Sequence, residues 1–151
     1  MGVVVHMKIA IAADHGGFEL KEALKKNLAD FTLTDLGTHS TDSVDYPDYG
    51  AELARRVAKG EFDRGILICG SGIGISIAAN KVKGIRAALC HNAYTAEMAR
   101  RHNDANVIAM GGRVVDEKTA LEMTRIFLAT DFEGGRHARR VEKLSALDGQ
   151  A

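Results

Sequence analysis

The chain has 151 residues, 46% of them hydrophobic and 26% charged, with 20 basic and 20 acidic side chains and therefore no net charge. That length suits one well-buried domain rather than two, and the even charge argues against a nucleic-acid binder that depends on bulk positive charge. No apolar run approaches the roughly 20 residues that span a bilayer, "MGVVVH" is short for a signal peptide and lacks a basic flank, and two cysteines make no disulfide framework.

These bounds predict a soluble cytoplasmic protein. Residues 1–6 read as an N-terminal extension to a single domain over residues 7–147. "KIAIAA" is the first predicted strand, and "FELKEALKKNLA" follows with Leu20, Ala23, Leu24 and Leu28 near helical spacing. "FTLTDLG" is the second strand. "DYGAELARRVAKG" is a helix with Pro47 near its start and Gly60 at its stop. "GILIC" and the helix "GISIAANKV" come next, then the strand "IRAALC" and the helix "NAYTAEMARRH". "ANVIAMG" is the fifth strand and "DEKTALEMTRIFLAT" a long amphipathic helix, while "GGRHARRVEKLSAL" forms one more helix at the tail. Continuous apolar strands alternating with helices predict a doubly wound α/β domain: three layers, a five-stranded parallel sheet and a C-terminal helix.

In such sheets the working residues collect at the carboxyl ends of the strands. Asp14 and His15 close the first strand, His39 and "SVDYPDYG" follow the second, and Cys69 ends the third before Gly70, Gly72 and Gly74. Cys90, His91 and Asn92 follow the fourth strand, His102 and Asn103 stand just before the fifth, and Gly112 and Arg113 just after it. An acid, histidines, a thiol, amides and an arginine are thus expected on or close to one edge. Asp14 also reads as a helix cap, His15, His39 and His91 as loop residues, and Cys90 as a packed core thiol. The histidines and cysteines form neither H-x-x-x-H nor C-x-x-C pairs, so no metal is expected.

Cys69 has two readings, a buried strand cysteine or a working thiolate. The glycines after it let backbone N–H groups turn inward, and the next helix aims its N-terminus at the same point, a setting that favours anions. A thiolate held there can serve as nucleophile or general base. The rival use of the loop is nucleotide binding. G-x-G-x-G has its third glycine one residue early for the dinucleotide fingerprint, and "ALCHN" lacks the acid that would hold a ribose. No G-K-[ST] follows, so a P-loop fails as well. The tail offers a better phosphate site: Arg136 and Arg140 are four apart on one helical face, although a solvated basic face has the same pattern.

Together, "ADHGGFELK", "DLGT", "SVDYPDY", "GILICGSGIGISIAANKVKGIRAAL", "RHNDANVIAMGGRVV" and "EGGRHARRVEKL" resemble the type B ribose-5-phosphate isomerases. That group belongs to a sugar-phosphate isomerase family that includes galactose-6-phosphate isomerase subunits, and the resemblance runs from about Met7 to Leu147. It implies a cofactor-free, metal-free aldose–ketose isomerase interconverting ribose 5-phosphate and ribulose 5-phosphate. Carried over by position, Cys69 matches the base that moves a proton between C1 and C2 through a cis-enediolate. Gly70, Ser71, Gly72 and Gly74 match the anion hole, and His102, with Asp14 nearby, the group that opens the furanose ring. Asn103 and Tyr46 match substrate contacts, and His15, Arg113, Arg136 and Arg140 the phosphate set, with His137 beside it. The family divides between a cysteine base and a glutamate a few residues on; Ile75 in the loop marks this chain as the cysteine type. The resemblance further implies a homodimer or homotetramer with shared active sites, acting on a small sugar phosphate without nucleic acid or membrane. Isomerisation of a six-carbon phosphate (allose 6-phosphate or galactose 6-phosphate) and a non-catalytic phosphoryl-ligand module are the alternative expectations.

Overall fold

A computed structural model of the protein describes residues 6–149. Of the expected extension at residues 1–6, all but exposed His6 lie outside the described residues. The elements alternate as β1 (Lys8–Ala13), α1 (Phe18–Asn27), β2 (Thr32–Asp35), α2 (Tyr46–Ala58), β3 (Arg64–Cys69) and α3 (Ile73–Asn80). They continue with β4 (Ala87–Leu89), α4 (Ala93–Arg101), β5 (Val107–Gly111), α5 (Glu117–Ala129) and α6 (Arg136–Ala146). Every strand pairing is parallel, in the order β2-β1-β3-β5-β4. The five-stranded parallel sheet and the tail helix are as the sequence pattern predicts.

Central β1, β3 and β5 are buried on both faces, which is why they read as unbroken apolar runs. Successive side chains alternate between two cores. Ile9, Ile11, Ile66, Ile68 and Ile108 meet Leu24 of α1, Ala96 of α4, and Met123 and Phe127 of α5. On the other face, Ala10, Ala12, Leu67 and Ala109 meet Leu53 and Ala54 of α2 and Ile75 and Ala79 of α3. The sheet is therefore the middle of three layers. From β1 the chain leaves to one side for β2, then returns to β3 on the other, so the carboxyl ends of β1 and β3 flank a topological switch point.

Some local features depart from the sequence reading. The fourth strand, Ala87–Leu89, is shorter than its apolar run, and amide side chains take the backbone groups at its amino end. Asn80 accepts from the Ala87 N–H and donates to the Ala87 carbonyl, while Asn106 accepts from the Arg86 N–H. Helix α2 starts two residues earlier than its pattern suggests, with Pro47 in the first turn, where a missing N–H costs nothing. On α1 the structure buries Lys21 completely beside the expected leucines. Its ammonium meets Asp35 at the end of β2 at 2.5 Å, and Lys25 reaches the same carboxylate at 2.8 Å. Burial alone would raise the Asp35 carboxyl, but the two lysines and the Gly37 N–H hold it down to about 2.

Candidate active site

The carboxyl edge of β1, β3 and β5 is assembled largely from backbone. Cys69, the last residue of β3, is 4% exposed, and its Sγ accepts the Gly72 N–H at 3.2 Å. Gly72 is the N-cap of α3 with φ +80°, a left-handed conformation that a side chain would strain. A Cβ there would also lie 2.6 Å from the Met110 carbonyl carbon, so only glycine fits the turn that brings this N–H to the sulfur. Ser71 Oγ takes the Ile73 N–H at 3.2 Å. The N–H groups of Gly70, Ser71 and Gly74 have no hydrogen-bond partner among the described residues. The thiol thus sits at the positive end of a helix beside open donors, as its sequence context predicts. Tyr46 lies across the loop, its ring 2.5 Å from where a Cβ on Gly74 would stand.

The loop after β1 packs against this one. Asp14 is buried and its Oδ1 accepts the N–H groups of Gly16 and Gly17 at 2.9 and 3.2 Å, so the carboxylate fixes the turn before α1. His15 Nδ1 accepts the Val44 N–H at 3.1 Å, which leaves Nε2 as the ring's donor. It faces a cleft of about 340 Å³ lined also by Gly16, Glu19, Gly112 and Arg113. The β5 loop is tied in by Gly112 N–H to the Cys69 carbonyl and Arg113 N–H to the Gly70 carbonyl, at 2.8 and 3.0 Å. Imidazole, guanidinium and helix start suit a small anion at this cleft.

The remaining predicted residues stand at the opposite edge, and the expectation of a single edge needs correction. A helix that follows a parallel strand runs back antiparallel to it, so α4 carries the chain away from the end of β4 to the start of β5. His102 is its C-cap and Asn103 the next residue, placed with Arg86 and Asn106 at the amino ends of β4 and β5. The five residue steps of β3 separate the two edges by about 16 Å. Within one chain His102 is therefore not near Asp14 or Cys69. Arg136, His137 and Arg140 on α6 join His102, because the His137 ring stacks on the His102 ring with centroids 4.1 Å apart and an angle of 11°. Arg136 and Arg140 are both exposed, and His137 is 5% exposed. Burial lowers the His137 pKa, as do the neighbouring His102, Arg136 and Arg140, against the pull of Glu133.

Two supporting residues of this edge escaped the sequence reading. Arg100 is buried and holds the α4–β5 turn through Thr130, Ala105 and Asp104. Glu133 is tied by its N–H to the Arg101 carbonyl at 3.0 Å and brings its carboxylate to His137. Each owes its role to contacts between elements remote in sequence, for which no local spacing exists. Cys90, by contrast, is the core thiol its pattern suggests: it is buried, and that burial pushes it up to about 11. His39 and His91 are exposed loop residues.

Comparison with known proteins identifies relatives along nearly the whole chain. The family model described as ribose/galactose isomerase matches residues 9–144. A curated Escherichia coli protein named ribose-5-phosphate isomerase B is 48% identical, with 93% of this chain and 96% of that protein covered. A Pectobacterium atrosepticum protein named D-erythrulose-4-phosphate isomerase is 43% identical, covering 95% of this chain and 97% of that one. Among solved structures, Clostridium thermocellum ribose-5-phosphate isomerase B superposes with a TM-score of 0.92 at 53% identity, over 93% of this chain and 97% of its own.

Proposed function

The chain belongs to the ribose/galactose isomerase family, and from that premise we propose that it interconverts D-ribose 5-phosphate and D-ribulose 5-phosphate through a cis-enediolate. The observation that carries this reading is the Gly72 N–H on Cys69 Sγ at the start of α3, with the neighbouring N–H groups open. Cys69 is the base that takes the proton from C2 of the aldose and returns it to C1. Removing that proton puts negative charge on the C1 oxygen, and the open donors from Gly70 to Gly74, with Ser71, hold the charge where it forms. No metal or cofactor is required by this proton transfer.

Ring opening falls to His102, with Asn103 and Tyr46 placing the sugar. The phosphate does not react; His15, Arg113, Arg136 and Arg140 bind it, and that binding fixes the carbons beside the thiol. Since His102 and the α6 arginines stand at the edge opposite Cys69, the site is completed between subunits. The carboxyl edge of one copy faces the amino edge of another, in a homodimer or homotetramer. Asp14 then meets His102 across that interface.

Solvent-exchange NMR on ribose 5-phosphate in D2O tests the reading, since turnover and deuterium incorporation appear together. Cys69→Ala should lose about 10³-fold in kcat or more; near-normal turnover would remove the thiol as the base. The name of the Pectobacterium relative keeps a second substrate in play. Chain length sets the gap between C2 and the phosphate, so kcat/KM compared on four-, five- and six-carbon aldose phosphates identifies the substrate. Binding of all three without turnover would instead indicate a non-catalytic phosphoryl-ligand module.

A further inference from the structure

Three side chains gather at the amino edge, and two of them, Glu133 and His137, have no part in the proposed isomerase reaction. His102 from the end of α4, Glu133 from the segment before α6 and His137 from its first turn each offer a ligand atom, all within 4.8 Å of one another. His137 is 95% buried, and its Nε2 has no hydrogen-bond partner. That nitrogen is 3.8 Å from Glu133 Oε1, too long for a hydrogen bond. It is close to the separation of about 3.4 Å between two ligands on a tetrahedral zinc ion. Glu133 is held for this purpose from two sides. Its N–H is tied to the Arg101 carbonyl, and Arg101 pairs with its other oxygen at 3.3 Å, which leaves Oε1 turned to His137.

We propose that His102, Glu133 and His137 form a binding site for a borderline divalent transition-metal ion such as Zn²⁺, and that occupancy inhibits the isomerase reversibly. Two imidazoles and a carboxylate are a three-ligand set that leaves a fourth position open. Closing it requires the exposed Glu133 carboxylate to move inward and the half-buried His102 ring to turn out of its near-parallel stack on His137, so that the lone pairs of both imidazoles converge, while buried His137 stays fixed. Arg136 and Arg140 place positive charge near the trio. The site therefore selects ions that bind imidazole strongly and rejects Mg²⁺ and Ca²⁺, which prefer oxygen. Inhibition rests on the ring-opening role proposed for His102: its nitrogen cannot hold a metal and relay a proton at the same time.

The test is a titration of untagged, chelator-treated protein with Zn²⁺ against a chromophoric chelator, paired with turnover of ribose 5-phosphate. Zn²⁺ should bind and suppress turnover, EDTA should restore it, and Mg²⁺ should do neither. Glu133→Ala should keep basal turnover but weaken Zn²⁺ binding and inhibition together by roughly tenfold or more, and His137→Gln should weaken binding likewise. Co²⁺ bound to the wild type should show no thiolate charge-transfer absorption, separating this site from Cys69. Zn²⁺ affinity unchanged in both variants, or a thiolate band, would overturn the site. Zn²⁺ bound at the trio with turnover intact would overturn the inhibition and the ring-opening role of His102, while Cys69→Ala tests the isomerase reading independently.

Discussion

The carboxyl edge of the sheet is made largely by backbone, with His15 and Arg113 beside it, and the amino edge by side chains. At the first, Gly72 offers an N–H to a buried thiol, Asp14 fixes a turn and its own N–H binds the Ile68 carbonyl of β3, and the loops after β3 and β5 are hydrogen-bonded to each other. At the second, an imidazole stack and the α6 arginines stand at the end of one helix and on the first two turns of another. The difference matches the tasks proposed for them. A developing oxyanion is best met by dipoles that are already in place, and close backbone packing provides that. A phosphate and a sugar ring are held by long cations and by imidazoles, which reach further.

Experiments can break that comparison or sharpen it. After loss of the thiol, the largest effect is expected from His102→Ala, with turnover of ribose 5-phosphate falling by roughly 10²-fold. The same variant should still exchange the C1 proton of ribulose 5-phosphate with solvent, because this ketose has no furanose ring to open. Loss of both would merge the roles of the two edges. Cys69→Ala and His102→Ala, unfolded together and refolded as a mixture, should regain about a quarter of wild-type activity. Half of the dimers pair the two variants, and each of those keeps one intact site. No recovery would contradict a site shared between subunits.

Smaller effects concern the anchoring of the carboxyl edge. Asp35 takes the Gly37 N–H at 2.8 Å and the buried Lys21, so it pins the turn after β2. Its folded carboxyl lies near 2, below the ordinary value of 3.8. The stabilisation is therefore complete above about pH 4 and lost as pH falls towards 2, on the order of 2 kcal/mol. Urea unfolding at pH 6 and at pH 2.5 should show this loss. Lys21→Met should cost about 3 kcal/mol at pH 6 and flatten the acid dependence, as Lys25 alone then faces Asp35. Smallest is Cys90→Ala, which should cost about 1 kcal/mol of stability and leave kcat/KM unchanged. Cys90, pushed up to about 11, should also escape alkylation at pH 8 in the wild type. Rapid alkylation there would show that burial does not protect it.

The sequence by itself determined the strands, most helix limits, the parallel three-layer plan and the Cys69 loop. Apolar runs, caps and glycines act within a few residues of themselves, and their physics is complete over that distance. Asp14, His15, Cys69 and Arg113 were legible for the same reason: each lies at or just beyond the end of a strand, where a parallel sheet exposes its loops. His102 and Asn103 were recognisable as candidate site residues, but nearness to β5 in sequence concealed that residues preceding a strand stand at its other end. No local spacing marks Lys21 for burial; only the packing of α1 over β2 brings its ammonium to Asp35. The approach of Glu133 and His137 to His102, and the separation of the two edges by the length of a strand, were decided only by tertiary structure. Such distances depend on the direction and packing of whole elements across layers, which spacing along the chain does not record.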